Sequence, residues 1–316
     1  MPKRDIKKYT INEKQKLVIW LFKDGKAGHE SQVNGLASAL ARLKPSEIHS
    51  VNLKGRFIYS IISLIFNRFS NRIPWCGLPK PDLIIGAGHK THTWLLAARC
   101  FNGGKIVLLM KPTLPSFLYD LIFIPIHDKA ASSANIIETH GVLNEMTSVG
   151  ERINNRGLIL IGGLSAHYDW DNQSIVQQIE RLIAGNPSIQ WEITTSRRTP
   201  VDVVKMLSEL SQDNFILTPY EATDVLWVSN RLKIVSRVWV SEDSVSMVYE
   251  ALTSGAEVGL FRLKSHLKKS RVVAGMEDLK KRKFVLTDTK LGEDYLKSLE
   301  SFNESDRCAS LVLKRL

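Results

Sequence analysis

The chain has 316 residues, 44% of them hydrophobic, and a formal net charge of +11. That length suits one large or two medium domains, and that much apolar material excludes wholesale disorder. The charge points to an anionic partner, such as a phosphorylated small molecule, an acidic lipid or nucleic acid, without choosing among them.

The start, MPKRDIKKYTINEKQK, is polar and basic with no apolar stretch, unlike a signal peptide. Residues 1–15 read as a tail. KLVIWLF then reads as a buried strand, and DGKAGHESQ follows it as a tight turn into the helix QVNGLASALARL. In that turn Gly25 and Gly28 give the backbone freedom beside Lys26. His29 falls near the helix start, where an imidazole can act as general base, with Asp24 or Glu30 to orient it. The alternative is a turn with polar caps.

The longest apolar run, residues 57–66, is half of the ~20 residues a membrane-spanning helix needs. With its flanking arginines and Trp75, the segment 55–75 reads either as a surface for an anionic bilayer or as a core helix with polar ends. DLIIGAG is the next strand. Gly86 and Gly88 allow a close backbone approach, with His89 and His92 behind them. The stretch lacks a full G-x-G-x-x-G, because Thr91 stands at the third glycine, and no P-loop is present. Strands KIVLLM, YDLIFIPI and NIIET complete a first β/α domain, residues 16–150, with the polar stretch 144–157 as linker.

The pattern restarts in residues 151–316. LIGGLSAHY puts Gly162 and Gly163 directly after a strand. The pair Asp169 and Asp171 imitates a metal site but stands where a helix N-cap is expected. TTSRRTP puts Ser196, Arg197 and Arg198 after the next strand, with Thr199 as N-cap and Pro200 in the first turn. Arginine suits bidentate phosphate contact. SEDSVSMVYEALTSG then opens a helix with Asp243 as N-cap and Gly255 as stop. Its first turn, with Ser244, Ser246 and Met247, presents free N–H groups suited to a diphosphate. Glu250, one turn beyond Ser246, can accept hydrogen bonds from ribose hydroxyls. An ordinary capped amphipathic helix fits the same residues. The basic stretch 263–283 and a helical tail follow.

Near-continuous apolar strands between helices predict two Rossmann-like β/α domains with parallel sheets, facing a cleft. The cysteines Cys76, Cys100 and Cys308 are few and far apart, which suggests a reducing compartment and no zinc site. No nucleic-acid-binding motif is visible, so no nucleic-acid partner is expected.

DGKAGHESQVNGLASAL, GAGHKTH, IGGLSAHYDW, TTSRRTP and VSEDSVSMVYEALTSG, in this order, resemble the elongated-mitochondria family of plant mitochondrial-fission proteins and bacterial homologues. The resemblance spans residues 17–261. It implies a GT-B-like fold and, in the bacterial branch, a metal-independent glycosyltransferase linked to lipo-oligosaccharide synthesis. By that likeness a nucleotide sugar is the co-substrate, no other cofactor is needed, and the acceptor is a lipid-linked saccharide. The place implied is the cytoplasm, at the inner face of the membrane. The second domain would bind the donor and the first the acceptor, with the last helix crossing back to the first. His29 and Glu250 are the positions the resemblance favours. The plant members act as recruitment factors, which implies the alternative of a non-catalytic scaffold.

Overall fold

The computed structural model describes residues 16–53, 74–128, 132–148, 151–266, 270–287 and 302–315. The basic tail, most of the segment 55–75, and residues 267–269 and 288–301 of the basic stretch and tail lie outside these.

The first half runs β1 (Leu17–Lys23), α1 (Ala27–Leu43), β2 (Ser46–Asn52), β3 (Leu83–Ala87), a 3-10 turn (His89–Thr91) leading into α2 (His92–Asn102), β4 (Lys105–Leu109), β5 (Leu121–Pro125) and β6 (Ile136–Thr139). Its strands pair in parallel in the order β2-β1-β3-β4-β5-β6. The chain leaves β1 toward β2 and returns on β1's other side as β3. The β1/β3 boundary is therefore a topological switch point, where a crevice opens beyond the strand ends.

The second half runs β7 (Ile153–Leu160), β8 (Tyr168–Asp169), α3 (Asn172–Ala184), β9 (Gln190–Thr194), α4 (Val201–Ser208), β10 (Phe215–Thr218), α5 (Trp227–Ile234), β11 (Val235–Ser241), α6 (Val245–Ser254), β12 (Glu257–Phe261), β13 (Lys264–Ser265), α7 (Arg271–Lys281) and α8 (Glu304–Arg315). Its five-stranded sheet is also parallel, ordered β10-β9-β7-β11-β12, with β8 and β13 a separate antiparallel pair. Here the switch point is β7/β11.

Both sheets are covered on both faces, which explains their apolar strands. In β1 the side chains alternate. Ile19 and Leu21 meet Leu36 and Leu40 of α1 and Ala309 and Val312 of α8. Trp20 and Phe22 face the other way, toward Trp75 and Leu95. Trp75 is buried, with ring centroids 6.2 Å from Trp20 and 6.0 Å from Trp94. This residue of the candidate bilayer segment is therefore core. Among the described residues no helix is long and apolar enough to cross a membrane.

Four local readings need correction. Helix α1 begins at Ala27, so His29 and Glu30 lie inside its first turn. Strand β7 starts at Ile153, inside the stretch read as linker. The N-cap of α4 is Pro200, and Thr199 instead accepts the Ser196 N–H at 2.8 Å. The N-cap of α6 is Ser244, because the Asp243 carboxylate has a tertiary use described below. Asp171 does cap α3, accepting from Gln173 and Ser174 N–H, and Gly255 ends α6 in the left-handed conformation at φ 81°.

Candidate active site

At the first switch point the loops after β1 and β3 touch. Asp24 Oδ1 accepts the Lys26 N–H at 3.1 Å, and Glu30 Oε1 accepts the Gly25 N–H at 3.1 Å. These bonds fix the turn. They leave Asp24 Oδ2 to meet His29 Nδ1 at 2.9 Å. Of the two acids considered for orienting the imidazole, Asp24 does so, while Glu30 ties down the loop. The Asp24 side chain is fully buried and that of His29 is 17% exposed. An ionised carboxylate only accepts, so the neutral ring carries its proton on Nδ1 and keeps the lone pair on Nε2.

Gly88 closes over this pair from the β3 side. A β-carbon there would lie 2.3 Å from His29 Nδ1, and its φ is +81°. Only glycine meets both demands. His89 beside it is exposed, whereas His92 is interior at 1% exposure. His92 Nδ1 lies 2.8 Å from Thr113 Oγ1, and the ring packs edge-on to Tyr119. Burial first, then the charge of His89, lowers its pKa to about 4. A neutral interior histidine is a core residue, so His92 leaves the candidate site.

At the second switch point the arrangement repeats with different chemistry. Gly162 N–H donates to Ser241 Oγ at 2.7 Å and Gly163 N–H to Asp243 Oδ2 at 2.9 Å. A β-carbon on Gly162 would lie 2.2 Å from that same Asp243 oxygen. Arg198 Nη2 also reaches Asp243 Oδ2, at 2.8 Å, while its Nη1 donates to Leu164 O. Ser196 Oγ donates to Gly162 O. Ser196, Arg198 and Asp243 thus bind the loops after β7, β9 and β11 to one another. The expectation that both arginines stand ready for phosphate holds less well for Arg198, because a buried carboxylate engages it.

What this bracing leaves open is the start of α6. Ser244 makes no side-chain cap, so the first-turn N–H groups keep their donors. Ser246 is exposed, and Met247 packs at the edge of the second-half core. Glu250 is partly buried, with no hydrogen-bond partner among the described residues. Burial first, and the facing Glu145 second, push its carboxyl up to about 7.

Sequence reading passed over Asn144 and Tyr220. Asn144 is buried in the connection between the halves and donates from Nδ2 to Tyr249 O at 3.2 Å and Thr253 Oγ1 at 3.0 Å, both in α6. Its backbone carbonyl accepts from Ser305 of α8. Tyr220 lies just past the end of β10 (Phe215–Thr218), where Pro219 stops the strand and a 3-10 turn over Tyr220–Ala222 begins.

The sequence model of one family, described as "Mitochondrial fission ELM1", matches residues 27–316. The chain belongs to the mitochondrial fission ELM1 family. The match begins after Asp24 and continues past residue 261 to the end, further than the motifs alone suggested. An uncharacterized Rickettsia prowazekii protein is 23% identical over alignments covering 77% of this chain and 82% of that one. Among solved structures, the UDP-GlcNAc 2-epimerase of Methanocaldococcus jannaschii aligns with TM-score 0.54 at 12% identity, covering 95% and 100% of the two chains. The S. aureus MnaA–UDP co-structure gives 0.52 at 15%, covering 94% and 95%. The calicheamicin glycosyltransferase CalG4 gives 0.50 at 12%, covering 96% and 98%. At such identities the likeness speaks for fold. This ELM1-family chain has the GT-B-like architecture of two Rossmann-like halves facing a cleft.

Proposed function

We propose that the protein is a metal-independent glycosyltransferase, carrying a sugar from a nucleotide-sugar donor to a hydroxyl of a lipid-linked saccharide of the lipopolysaccharide or lipo-oligosaccharide type. The observation that carries the proposal is the Asp24–His29 pair, held at 2.9 Å in a switch-point crevice with Nε2 unclaimed. Nε2 takes the acceptor hydroxyl proton as the oxygen bonds to the anomeric carbon. The bond from that carbon to the diphosphate breaks, and the nucleoside diphosphate leaves with the electron pair. The first-turn N–H groups of α6 receive its charge. Glu250 accepts from the ribose hydroxyls. Gly162 and Gly163 let the loop after β7 close on Asp243 and Arg198 at the donor side, while Lys26, Gly28 and His89 line the acceptor side with Gly25 and Gly88. The net charge of +11 supports work at an anionic membrane face, and we place it at the cytoplasmic side.

Isothermal titration of the full chain with UDP, GDP, CMP and their sugars tests the donor half of the proposal. One nucleotide class is expected to bind, and no binding by any would sink it. His29→Ala is expected to leave that affinity unchanged and to lower turnover by about 10²–10⁴-fold.

A second reading, a non-catalytic scaffold with this fold, is favoured by one observation. Arg198 and Asp243 satisfy each other at 2.8 Å, which reduces what the crevice offers a phosphate. Full cellular function retained by the double variant His29→Ala, Glu250→Ala would decide for it.

A further inference from the structure

Strands β9 and β10 pair in parallel with Thr194 opposite Thr218. Arg197 and Tyr220 therefore emerge at the same sheet edge, just past the strand ends. The Arg197 guanidinium carbon lies 5.7 Å from the centre of the Tyr220 ring. Arg197 is exposed and has no acidic partner among the described residues, in contrast to Arg198 beside it. The Tyr220 side of this pair is rigidly mounted. Its N–H donates to Thr195 Oγ1 at 3.0 Å, and its carbonyl accepts from the Thr223 hydroxyl at 2.7 Å and the Thr223 N–H at 3.0 Å. Yet the residue is 37% exposed. So much backbone anchoring under a solvent-facing aromatic has no evident purpose in the core.

We infer that Arg197 and Tyr220 form a stacking platform for the nucleobase of the donor. The inference rests on the nucleotide-sugar reading and extends it to a part of the ligand that Glu250 and α6 do not touch. Two strand spacings, about 10 Å, separate β10 from β7, whose Gly162 and Gly163 line the β7/β11 crevice. A ligand with an anionic end in that crevice and a flat aromatic end over β9 and β10 matches this layout, and a nucleoside diphosphate is such a ligand. A guanidinium lying over a phenol ring offers a second planar face, so a base can stack on the pair without displacing either member.

The test uses the full chain and calorimetric titration with UDP, GDP, CDP and inorganic pyrophosphate. For whichever nucleoside diphosphate binds, Tyr220→Ala is expected to weaken affinity about tenfold, with pyrophosphate affinity unchanged. Tyr220→Phe keeps the ring and is expected to bind as the parent does. Arg197→Ala, at an exposed position, gives an independent reading should Tyr220→Ala fold poorly, and it too is expected to weaken the nucleotide more than pyrophosphate. An unchanged nucleotide affinity in both alanine variants overturns the platform while leaving the donor site standing. Equal losses for nucleotide and pyrophosphate also overturn it, since Tyr220 would then act through the fold. A parent chain that binds no nucleoside diphosphate overturns the donor reading and the platform together.

Discussion

Glu250 is the residue whose surroundings disagree most with its chemistry. Burial and Glu145 raise its carboxyl from 4.5 to about 7. Between those two values the native chain holds a proton that the unfolded chain has lost. Stability contributed at this site is therefore greatest below about pH 4.5, declines as pH rises through 7, and is flat beyond. Glu250→Gln removes the titration. Thermal unfolding from pH 5 to 8 should show the parent losing ground to the glutamine variant, and parallel curves would refute the assignment. Nucleotide affinity should run the opposite way. A carboxylate accepts ribose hydroxyls better than a carboxylic acid does, so binding tightens as pH rises through 7, and the glutamine variant lacks that dependence. The place of Glu250 on α6, one turn beyond Ser246, was legible from spacing. The role of Asp243 was not. Local chemistry reads an aspartate before a helix as a cap, but Gly163 and Arg198 on other loops claim its carboxylate. His92 failed for a similar reason, since nothing in GAGHKTH indicates which histidine turns inward.

At the scale of elements, α6 is held from the first half as well as from its own sheet. Tyr249 sits against Gly141, where a β-carbon would come within 2.0 Å of the ring. Asn144 bonds the backbone and Thr253 of the same helix. Its own carbonyl meets Gly35 of α1, where no side chain fits. Thus α1, which carries His29, and α6, which carries Glu250, share one buried asparagine. Asn144→Ala strands the Met146 N–H that Asn144 Oδ1 accepts, while the Tyr249 carbonyl keeps the Thr253 hydroxyl as its donor. At about 1–3 kcal/mol for an unsatisfied buried group, denaturant unfolding should report a loss of about 1–3 kcal/mol. A loss below about 0.5 kcal/mol would show that the helices find their places without it. The elements themselves were largely readable, because buried parallel strands are apolar runs and their helices are amphipathic. Helix α5 was missed, since it buries only Leu232 fully and so has almost no periodic signal. The two-residue pair β8–β13 is too short to have any.

Across the whole molecule, α8 follows the second half in sequence but completes the core of the first. Cys308, Ala309 and Val312 are buried against Leu36 and Leu40 of α1. Arg42 of α1 pairs with Asp306 at 2.5 Å, and Glu304 accepts the His140 N–H at 3.0 Å. One fully buried valine is worth about 1.5–3 kcal/mol, and a domain's net stability is about 5–15 kcal/mol. Losing the whole seam therefore threatens the first half's fold. Ala309→Glu drives a carboxylate into that buried apolar seam beside Leu36, Leu40 and Val312. Hydrogen exchange should then accelerate in α1 and β1, while β7, β9 and β11, whose cores lie elsewhere, keep their protection. If exchange stays slow in α1, then α8 merely decorates the first half. If all strands lose protection together, the halves unfold as one unit, and the shared asparagine, rather than the seam, governs how the two crevices face each other.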